Sequence, residues 1–338
     1  MRNIILTSFL LASSSLFAAT PSCKQTHAVI DMGSTNTKVK VAKVDTCLKK
    51  ITKVLFYKNY PIEYKNSADL SLEMNISIEM MQKGVDTLNL VKKEISKFRA
   101  NKLKVYASSA FWGFQNKDDL LNAIKNLAGL SVQVLEQSDE AQMGLASIKA
   151  NTKTDPDKII VWDIGGTTMQ MVTEASGERE SKIETYSGQL GSESFKNNII
   201  KRVKQNNTFK VTTPNPMGLE DILAAKDIAH NEARMMVPQY LQEKISRGGV
   251  VLYGIGMVHT SGIQGYLSGK KSYTLGELEL IIHQSMLRSN EQIGGKYASN
   301  KVTNAILIGA FMEALGIHTV TPMAVDLTDG LLMNGMSI

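Results

Sequence analysis

The chain has 338 residues, which is enough for two medium-sized domains. Hydrophobic residues make up 43% and charged residues 21%, a composition that excludes a disordered polymer, a fibrous repeat and a polytopic membrane protein. The 38 Lys and Arg residues against 32 Asp and Glu give a formal net charge of +6, which suits an anionic ligand; no run of basic residues is longer than a pair, so we expect no nucleic-acid partner.

The N-terminus has the pattern of a secretory signal peptide, residues 1–19. One positive charge precedes an apolar stretch, residues 4–12, and small residues follow it. The apolar stretch is shorter than the roughly 20 residues that cross a bilayer, which favours cleavage over retention as an anchor helix. We therefore expect a periplasmic or secreted protein without a stable membrane anchor. In such a compartment Cys23 and Cys47 either form a disulfide or remain two thiols.

The first half of the mature chain alternates between strand and helix patterns. Three strands come first, and then helices alternate with two further strands. The predicted strands are residues 27–31, 37–44, 51–62, 103–107 and 132–135, and the predicted helices are residues 81–98, 118–127 and 139–148. We assign this part to an N-terminal domain, residues 26–150, completed by part of residues 312–338.

After a polar linker at residues 151–157, the second half repeats this order. A three-strand meander begins at residue 159, and helices and one further strand follow. The helical patterns are residues 193–203, 219–245, 275–287 and 302–315, and the strand is residues 250–253. A second domain, residues 157–311, is thereby predicted, so that two α/β domains face each other across a cleft.

One motif occurs once in each half. An apolar strand ends in Asp31 or Asp163, a turn of Gly and Ser or Thr follows, and then comes an alternating strand. Consecutive N–H groups in such a turn form a binding site for anions, and glycine lets the backbone approach the ligand. A carboxylate beside a phosphate is explained by a divalent cation or an activated water between them. The predicted phosphate-binding residues are Gly33, Ser34, Thr35, Asn36, Gly165, Gly166, Thr167 and Thr168.

Two ordinary tight turns in a duplicated sheet would give the same pattern, but the repetition in matched context favours phosphate binding. Gly254 and Gly256 form another small-residue turn after a strand, which predicts either a third phosphate contact or a plain turn. His259 follows this turn and is expected to be a loop histidine or, alternatively, a ligand contact.

The ordered set of motifs resembles the exopolyphosphatase/guanosine pentaphosphate phosphohydrolase (Ppx/GppA) family from about residue 28 to residue 332. Asp31-Met-Gly-Ser-Thr-Asn is similar to the family's Asp-Leu-Gly-Ser-Asn-Ser, and Asp163-Ile-Gly-Gly-Thr-Thr to its Asp-Ile-Gly-Gly-Gly-Ser. Ser138-Asp-Glu-Ala resembles its Ser-Gly-Glu-Glu-Ala segment, and Ala107-Ser-Ser-Ala its Ala-Thr-Ser-Ala. The resemblance implies an α/β fold of two actin-like ATPase (ribonuclease H-like, ASKHA) domains. Since family members often dimerise, a homodimer is one expectation.

The resemblance also implies a reaction, the release of terminal phosphate from inorganic polyphosphate or a nucleotide polyphosphate. Glu140 matches the family's general base, and Asp163 matches an aspartate that helps to hold the water and a magnesium ion, near which Asp31 also lies. Ser108 and Ser109 match a phosphate-binding segment. On its own, Glu140 is better explained as an acidic residue in the first turn of a helix, and it is the flanking motifs that favour a catalytic role.

Several positions depart from the family pattern. Trp112 stands where the family has an arginine, Met257 and Val258 replace a Gly-Thr pair, and Asn304 lies near an expected aspartate. These changes leave open the alternative that the protein is a family member that binds polyphosphate or nucleotide without hydrolysing it. A kinase of the same superfamily is disfavoured because little ATP is present in the periplasm. Lys38 and Lys40 could replace the missing arginine, but they are expected to be solvated charges on an exposed strand.

Overall fold

The structure, a computed structural model, describes residues 23–175 and 182–333. The predicted signal peptide, residues 1–19, lies outside the described residues. Two mixed β-sheets form in this part of the chain, and helices pack against each of them.

The first sheet has five strands in the order β3-β2-β1-β4-β5. The first three strands pair antiparallel, whereas β4 and β5 run parallel to β1. Residues 27–32 of β1 are buried, as expected for a central strand covered on both faces. The strands are β1 Lys24–Met32, β2 Asn36–Asp45, β3 Lys50–Pro61, β4 Lys102–Ala107 and β5 Val132–Val134, and the helices of this half are α1 Tyr64–Asp69, α2 Ile78–Ile95, α3 Lys117–Ala128 and α4 Gln137–Asn151.

The second sheet has six strands in the order β10-β11-β9-β6-β7-β8. Its centre repeats the first sheet, because β6 pairs antiparallel with β7 and parallel with β9. The strands are β6 Ile159–Ile164, β7 Met169–Ala175, β8 Lys182–Gly188, β9 Val251–Ile255, β10 Tyr273–Thr274 and β11 Thr319–Pro322. The helices are α5 Ser192–Asn198, α6 Leu219–Met236, α7 Gln239–Arg247, α8 Leu275–Ser285, α9 Asn290–Ile293, α10 Ala298–Leu315 and α11 Leu327–Met333, and two π-helical segments are Ile199–Val203 and Val258–Gln264.

The structure departs from the predicted elements in two ways. The helical pattern at residues 219–245 is divided into α6 and α7 at Pro238, which has no N–H to donate and disfavours helical backbone at the residue before it. The short elements α1, α9, α11, β10 and β11 are not among the predictions, because segments of two to seven residues are too short to show the periodicity of a helix or a strand. The domain boundaries given above stay a prediction.

Two helices determine the shape of the cleft described below. α11 returns to the first sheet and packs on α4, β1 and β2. α10 is buried along most of its length because α5, α6 and α8 surround it. Among the described residues, no helix combines the length and the apolar composition needed to span a bilayer.

Cys23 and Cys47 form a disulfide with a Cα–Cα distance of 5.5 Å. It joins the residue before β1 to the turn between β2 and β3. Of the two alternatives left by the sequence, the paired one is therefore present. The disulfide lies at the start of β1, whereas Asp31 lies at the end of the same strand.

Candidate active site

A cleft of about 460 Å³ lies between the two sheets and receives side chains from both. It is lined at the ends of β1 and β6 by the two repeated turns and by the first turn of α4. Most of the predicted site residues meet there. They are Asp31, Gly33, Ser34, Thr35, Asn36, Ser108, Glu140, Asp163, Gly165, Gly166, Thr167, Thr168 and Gly256.

The two repeated turns have the same backbone geometry. The amide of Gly33 donates to the carbonyl of Asn36 at 2.8 Å, and the amide of Gly165 donates to the carbonyl of Thr168 at 2.9 Å. A Cβ atom at Gly33 would lie 2.9 Å from the oxygen of Asn36, so the turn excludes a side chain at this position. The sequence repeat is thus a structural repeat as well.

The carbonyl groups of both turns are occupied by the segments that follow each meander. The amide of Lys65 donates to the carbonyl of Ser34 at 2.9 Å, and that of Glu193 donates to the carbonyl of Gly166 at 2.7 Å. The amide hydrogens of Ser34 and Gly166 themselves meet no acceptor within residues 23–175 and 182–333. Each turn therefore offers free backbone donors for an anion.

Glu140 is buried in the first turn of α4, with 4% of its surface exposed. Its carboxylate accepts hydrogen bonds from the amide of Ser109 at 3.2 Å, from the hydroxyl of Ser109 at 2.7 Å and from the amide of Gln170 at 3.2 Å. Burial raises the pKa of Glu140 to about 8; the bonds from Ser109 oppose this rise, and Asp31 and Asp163 add to it. Such a group titrates near the pH at which a general base is most effective.

Ser109 is among the predicted phosphate-binding residues, but it does not line the cleft. Both its amide and its hydroxyl are directed at Glu140. The structure therefore gives Ser109 a positioning role, whereas its neighbour Ser108 lines the cleft.

The two aspartates lie at the ends of the central strands, Asp31 on β1 and Asp163 on β6. Burial raises the pKa of Asp31 to about 6, against the opposing charge of Lys38. Burial likewise raises the pKa of Asp163 to about 7; Lys38 opposes this rise and Asp31 reinforces it. The negative charges of these two carboxylates are therefore only partly compensated by the nearby lysine.

The prediction that Lys38 and Lys40 are solvated surface charges is wrong. Their side chains are 17% and 9% exposed, because β2 lies between β1 and β3 and is covered by α11. Lys38 lines the cleft, and its pKa is raised because Asp326, Asp31 and Asp163 together outweigh the effect of burial. It is thus a cation held beside the two aspartates.

Asp326 is a residue of the cleft that the sequence did not reveal. It precedes α11 and accepts hydrogen bonds from the hydroxyl of Tyr57 at 3.0 Å and from Lys40 at 3.4 Å. Burial alone would raise its pKa, but Lys38 and Lys40 outweigh burial, and Thr328 and Tyr57 add hydrogen bonds, so the pKa lies at about 2. No local motif marks this residue; only the return of α11 brings it to the cleft.

The two glycines of the third turn have different surroundings. Gly256 lines the cleft with φ +83°, and a Cβ atom there would lie 2.8 Å from Oδ1 of Asp163. Gly254 does not line the cleft, which removes the structural basis for its predicted phosphate contact. It lies in β9, where a Cβ atom would lie 2.6 Å from the ring of His259. Its small size makes room for that ring.

His259 is fully buried and is not among the residues that line the cleft. Its Nδ1 lies 2.5 Å from the hydroxyl of Tyr273, and burial lowers its pKa to about 3. Trp112 is also absent from the cleft lining, and its indole N–H donates to the carbonyl of Leu135 at 3.1 Å. Neither residue is therefore placed to contact a phosphate in the cleft.

The chemistry of the cleft suits a hard divalent cation. Its candidate ligands are the carboxylate oxygens of Asp31, Asp163 and Glu140, with no cysteine or histidine among the described lining residues. The three carboxylates do not converge into a closed cage: in the described chain, the group of three ligands within 4.8 Å of one another is Cys23, Asp45 and Cys47, where the sulfurs already form the disulfide. This arrangement fits Mg²⁺, which binds through one or two carboxylates and completes its shell with water and substrate phosphate.

Comparison with known proteins relates the chain to phosphatases. The model of the Ppx/GppA phosphatase family matches residues 40–261. A guanosine-5'-triphosphate,3'-diphosphate pyrophosphatase of Photobacterium profundum is 28% identical over 106 residues, which is 31% of this chain and 21% of that protein. The alignment thus spans about a fifth of the curated relative.

Solved structures extend the similarity to nearly the whole chain. A Ppx/GppA family member of Aquifex aeolicus has a TM-score of 0.70 at 15% identity, over 93% of this chain and 98% of that one. An exopolyphosphatase of Cytophaga hutchinsonii has a TM-score of 0.70 at 16% identity, with the same coverage. At such identities the likeness shows the fold, and the predicted pair of actin-like α/β domains is confirmed. The family match covers well over half of the sequence, and the chain belongs to the Ppx/GppA phosphatase family.

Proposed function

We propose that this protein hydrolyses phosphoanhydride bonds and releases the terminal phosphate of inorganic polyphosphate or a nucleotide polyphosphate. One observation carries the proposal: a buried carboxyl group, Glu140, is held by Ser109 and Gln170 in the same cleft as two anion-binding turns. The names of the relatives, an exopolyphosphatase and a guanosine-5'-triphosphate,3'-diphosphate pyrophosphatase, support the same class of substrate.

In the proposed mechanism the turns bind the terminal phosphoryl group. The amides of Ser34 and Gly166 and the hydroxyl of Thr35 donate to its oxygens, and Lys38 offsets part of its negative charge. Glu140, in its ionised form, orients a water molecule and accepts one of its protons. The water oxygen forms a bond to phosphorus while the bond from phosphorus to the bridging oxygen breaks. The bridging oxygen leaves with the shortened phosphate chain.

Asp31 and Asp163 are the residues that would hold magnesium. When bound there, a divalent cation neutralises charge on the phosphate oxygens and on the leaving oxygen. Burial raises the pKa values of both aspartates, which supports the placement of a cation beside them. Asp326, whose pKa is lowered, is already compensated by Lys38 and Lys40.

The test is phosphate release by the chain from residue 20, with magnesium present, from long-chain polyphosphate, tripolyphosphate and guanosine pentaphosphate. Glu140→Gln keeps the size of the side chain but removes the base, and we expect it to lower release by at least about 100-fold. Substrate binding should persist in this variant. Equal rates in the parent and in Glu140→Gln would remove Glu140 from the mechanism.

A second candidate function is binding of the same ligands without turnover. It is favoured by the cleft lining, in which the described residues include lysines but no arginine to form paired bonds with phosphate. If the parent binds polyphosphate and releases no phosphate, this second function replaces the first.

We further propose that the protein acts in the periplasm or outside the cell. The disulfide between Cys23 and Cys47 supports an oxidising compartment, since such bonds are rare where thiols are kept reduced. N-terminal sequencing of the exported protein tests this proposal, with a first residue near position 19 or 20 expected. A homodimer, expected from the resemblance, stays a prediction.

A further inference from the structure

The segment that follows the second meander places an ion pair in the lining of the cleft. Glu193 and Lys196 both lie on α5 and both line the cleft. The Nζ atom of Lys196 lies 2.5 Å from Oε2 of Glu193, and Lys196 is only 8% exposed. The amide of Glu193 donates to the carbonyl of Gly166, which fixes the pair to the second repeated turn. A charged pair is thus held beside the proposed phosphate site.

The carboxylate of Glu193 has a second donor on a neighbouring helix. The Nδ2 atom of Asn300, on α10, donates to Oε1 of Glu193 at 2.6 Å and to the hydroxyl of Ser192 at 3.1 Å. Asn300 lines the cleft together with Asn304, which lies four residues further along α10. Glu193 therefore accepts hydrogen bonds from an ammonium and from an amide, two kinds of donor that also bind phosphate oxygens.

The contribution of this pair to stability does not explain its place in the cleft. Ion pairs between residues three apart on a helix stabilise it little, and withdrawing both charges from water costs free energy. In the described part of the chain, Glu193 is the one acceptor that the ammonium group of Lys196 contacts, and such a group has three hydrogens to donate. A phosphate that reaches Lys196 must approach the carboxylate of Glu193 as well, and the two anions repel each other.

We infer that Lys196 is a further phosphate-binding residue of the cleft and that Glu193 is an internal competitor for it. The carboxylate of Glu193 occupies a donor that the ligand would use, and so it weakens the binding of the substrate and of the released phosphate. This inference concerns the regulation of affinity at the cleft, and it rests on the proposed function for the placement of the ligand at the two turns.

The experiment measures anion binding in the absence of turnover. Calorimetry with magnesium gives the dissociation constant of inorganic phosphate for the parent and that of tripolyphosphate for Glu140→Gln, and each substitution is then introduced into both proteins. Glu193→Gln keeps an acceptor for Asn300 but removes the charge, and we expect it to tighten binding about 5- to 10-fold. Lys196→Met keeps an unbranched side chain and should weaken binding about 10-fold or more, whereas Lys196→Arg should restore most of the affinity.

Two comparisons separate competition from a general effect of charge. In a Lys196→Met background, Glu193→Gln should tighten binding by less than about twofold, because it has no ammonium group to release. An equal gain in both backgrounds would overturn the competition for Lys196. Glu313→Gln is the matched control, because Glu313 pairs with Lys226 at 2.8 Å and neither residue lines the cleft. It changes the net charge equally and should leave binding within about twofold of the parent.

The opposite signs expected for Glu193→Gln and Lys196→Met exclude a shared loss of folding as their cause. If Glu193→Gln binds phosphate no more tightly than the parent, or if Lys196→Arg binds as weakly as Lys196→Met, the inference is wrong even when the parent hydrolyses polyphosphate. If the parent releases no phosphate but both substitutions change binding as expected, the inference holds and the hydrolase assignment fails. A folded parent that binds neither anion would overturn both.

Discussion

The hydroxyl of Thr167 donates a hydrogen bond to the hydroxyl of Ser34 at 3.0 Å. The two residues belong to the two repeated turns and are separated by 133 positions in the sequence; Ser34 is equivalent to Gly166 in the repeat, and Thr167 to Thr35. A Cβ atom at Gly166 would lie 3.1 Å from the methyl carbon of Thr35, so the turns are in close contact. The two turns that form the proposed anion site are therefore joined directly.

Replacement of Thr167 by valine should loosen this junction. The variant has the same shape but lacks the hydroxyl, so we expect a free energy of unfolding lower by about 0.5–1.5 kcal/mol and a KM several-fold higher for the phosphate substrate. Urea unfolding and phosphate-release kinetics measure the two effects. Thr87→Val is the control, because its hydroxyl bonds a helix carbonyl on α2 outside the cleft. A Thr167→Val protein with the KM of the parent would show that the turns bind independently.

Ser109 should determine the pH at which Glu140 becomes active as a base. Its hydrogen bonds favour the ionised carboxylate and oppose the effect of burial, so their removal raises the pKa of Glu140 further. In Ser109→Ala we expect the acidic limb of kcat/KM to move to higher pH, whereas Ser109→Thr, which keeps the hydroxyl, should restore it. Phosphate release from about pH 6 to about pH 10 measures the shift. An unchanged limb in Ser109→Ala would contradict the positioning role.

The buried carboxyl groups should reduce stability as the pH rises. Burial raises the pKa values of Asp31, Asp163 and Glu140 to about 6, 7 and 8. Well below pH 4 these groups are protonated in both states; from about pH 4 upward the unfolded chain releases protons that the folded protein retains, so stability falls until the pH has passed the folded pKa values of about 6 to 8.

Glu140→Gln should therefore be more stable than the parent at about pH 8, by at least about 1 kcal/mol, and the difference should vanish near pH 4. Thermal and urea unfolding at both pH values provide the measurement. Glu243→Gln, at an exposed ion pair with Arg247, should change little at either pH. A Glu140→Gln protein less stable than the parent at pH 8 would show that the carboxylate is compensated in the folded state.

The sequence revealed those parts of the site that a short segment forms on its own. The turns at Gly33 and Gly165 are predicted because strand, aspartate and turn are contiguous, and each motif closes its own hydrogen bond. Glu140 was found through its flanking residues by resemblance to the family. These residues need no distant partner to adopt their local geometry, although their roles in catalysis stay predictions.

The other features of the site depend on contacts between segments that are distant in sequence. The alternation of Lys38 and Lys40 with apolar residues in β2 indicates an exposed face, and only the packing of α11 covers it. Lys40 and Asp329 lie 289 positions apart, a pairing that no local pattern encodes. Asn304 was noted only as a departure from the family, because an asparagine in an apolar helix does not by itself show that a cleft lies beside it.

Asp326 should be essential for the stability of this covered face. It lies 4.0 Å from Lys38 and 3.4 Å from Lys40, and Lys40 has a second buried partner, Asp329, at 2.8 Å. Asp326→Asn removes one of the anions beside these two ammonium groups but leaves Asp329 with Lys40, so we expect a loss of up to about 3 kcal/mol in the free energy of unfolding, the lower end of the cost of breaking a buried ion pair. Urea unfolding at neutral pH measures it. Asp155→Asn, at an exposed ion pair with Lys158, should cost less than about 1 kcal/mol.

Asp326 should also determine part of the change in stability at acidic pH. The pKa of Asp326 lies at about 2 in the folded protein, below the ordinary value of 3.8. Its contribution to stability is therefore present above about pH 4 and lost as the pH falls toward 2. The stability difference between the parent and Asp326→Asn should shrink over this interval. A difference that stays constant would show that the amide loses packing rather than charge.

The disulfide should contribute to stability without affecting catalysis. Cys23 and Cys47 are 24 positions apart, and crosslinking a loop of that length stabilises a fold by about 3 kcal/mol in the chain-entropy description. Asp31 lies eight residues beyond Cys23 along an extended strand, or roughly 26 Å at about 3.3 Å per residue. We therefore expect Cys23→Ala/Cys47→Ala to lower Tm markedly while kcat and KM at 25 °C, where the protein remains folded, match those of the parent.

Parent protein with a reducing agent should reproduce the lower Tm, and the double variant should not respond to the reductant. A loss of activity in a variant that circular dichroism shows to be folded would mean that the constraint extends along β1 to the carboxylates of the cleft.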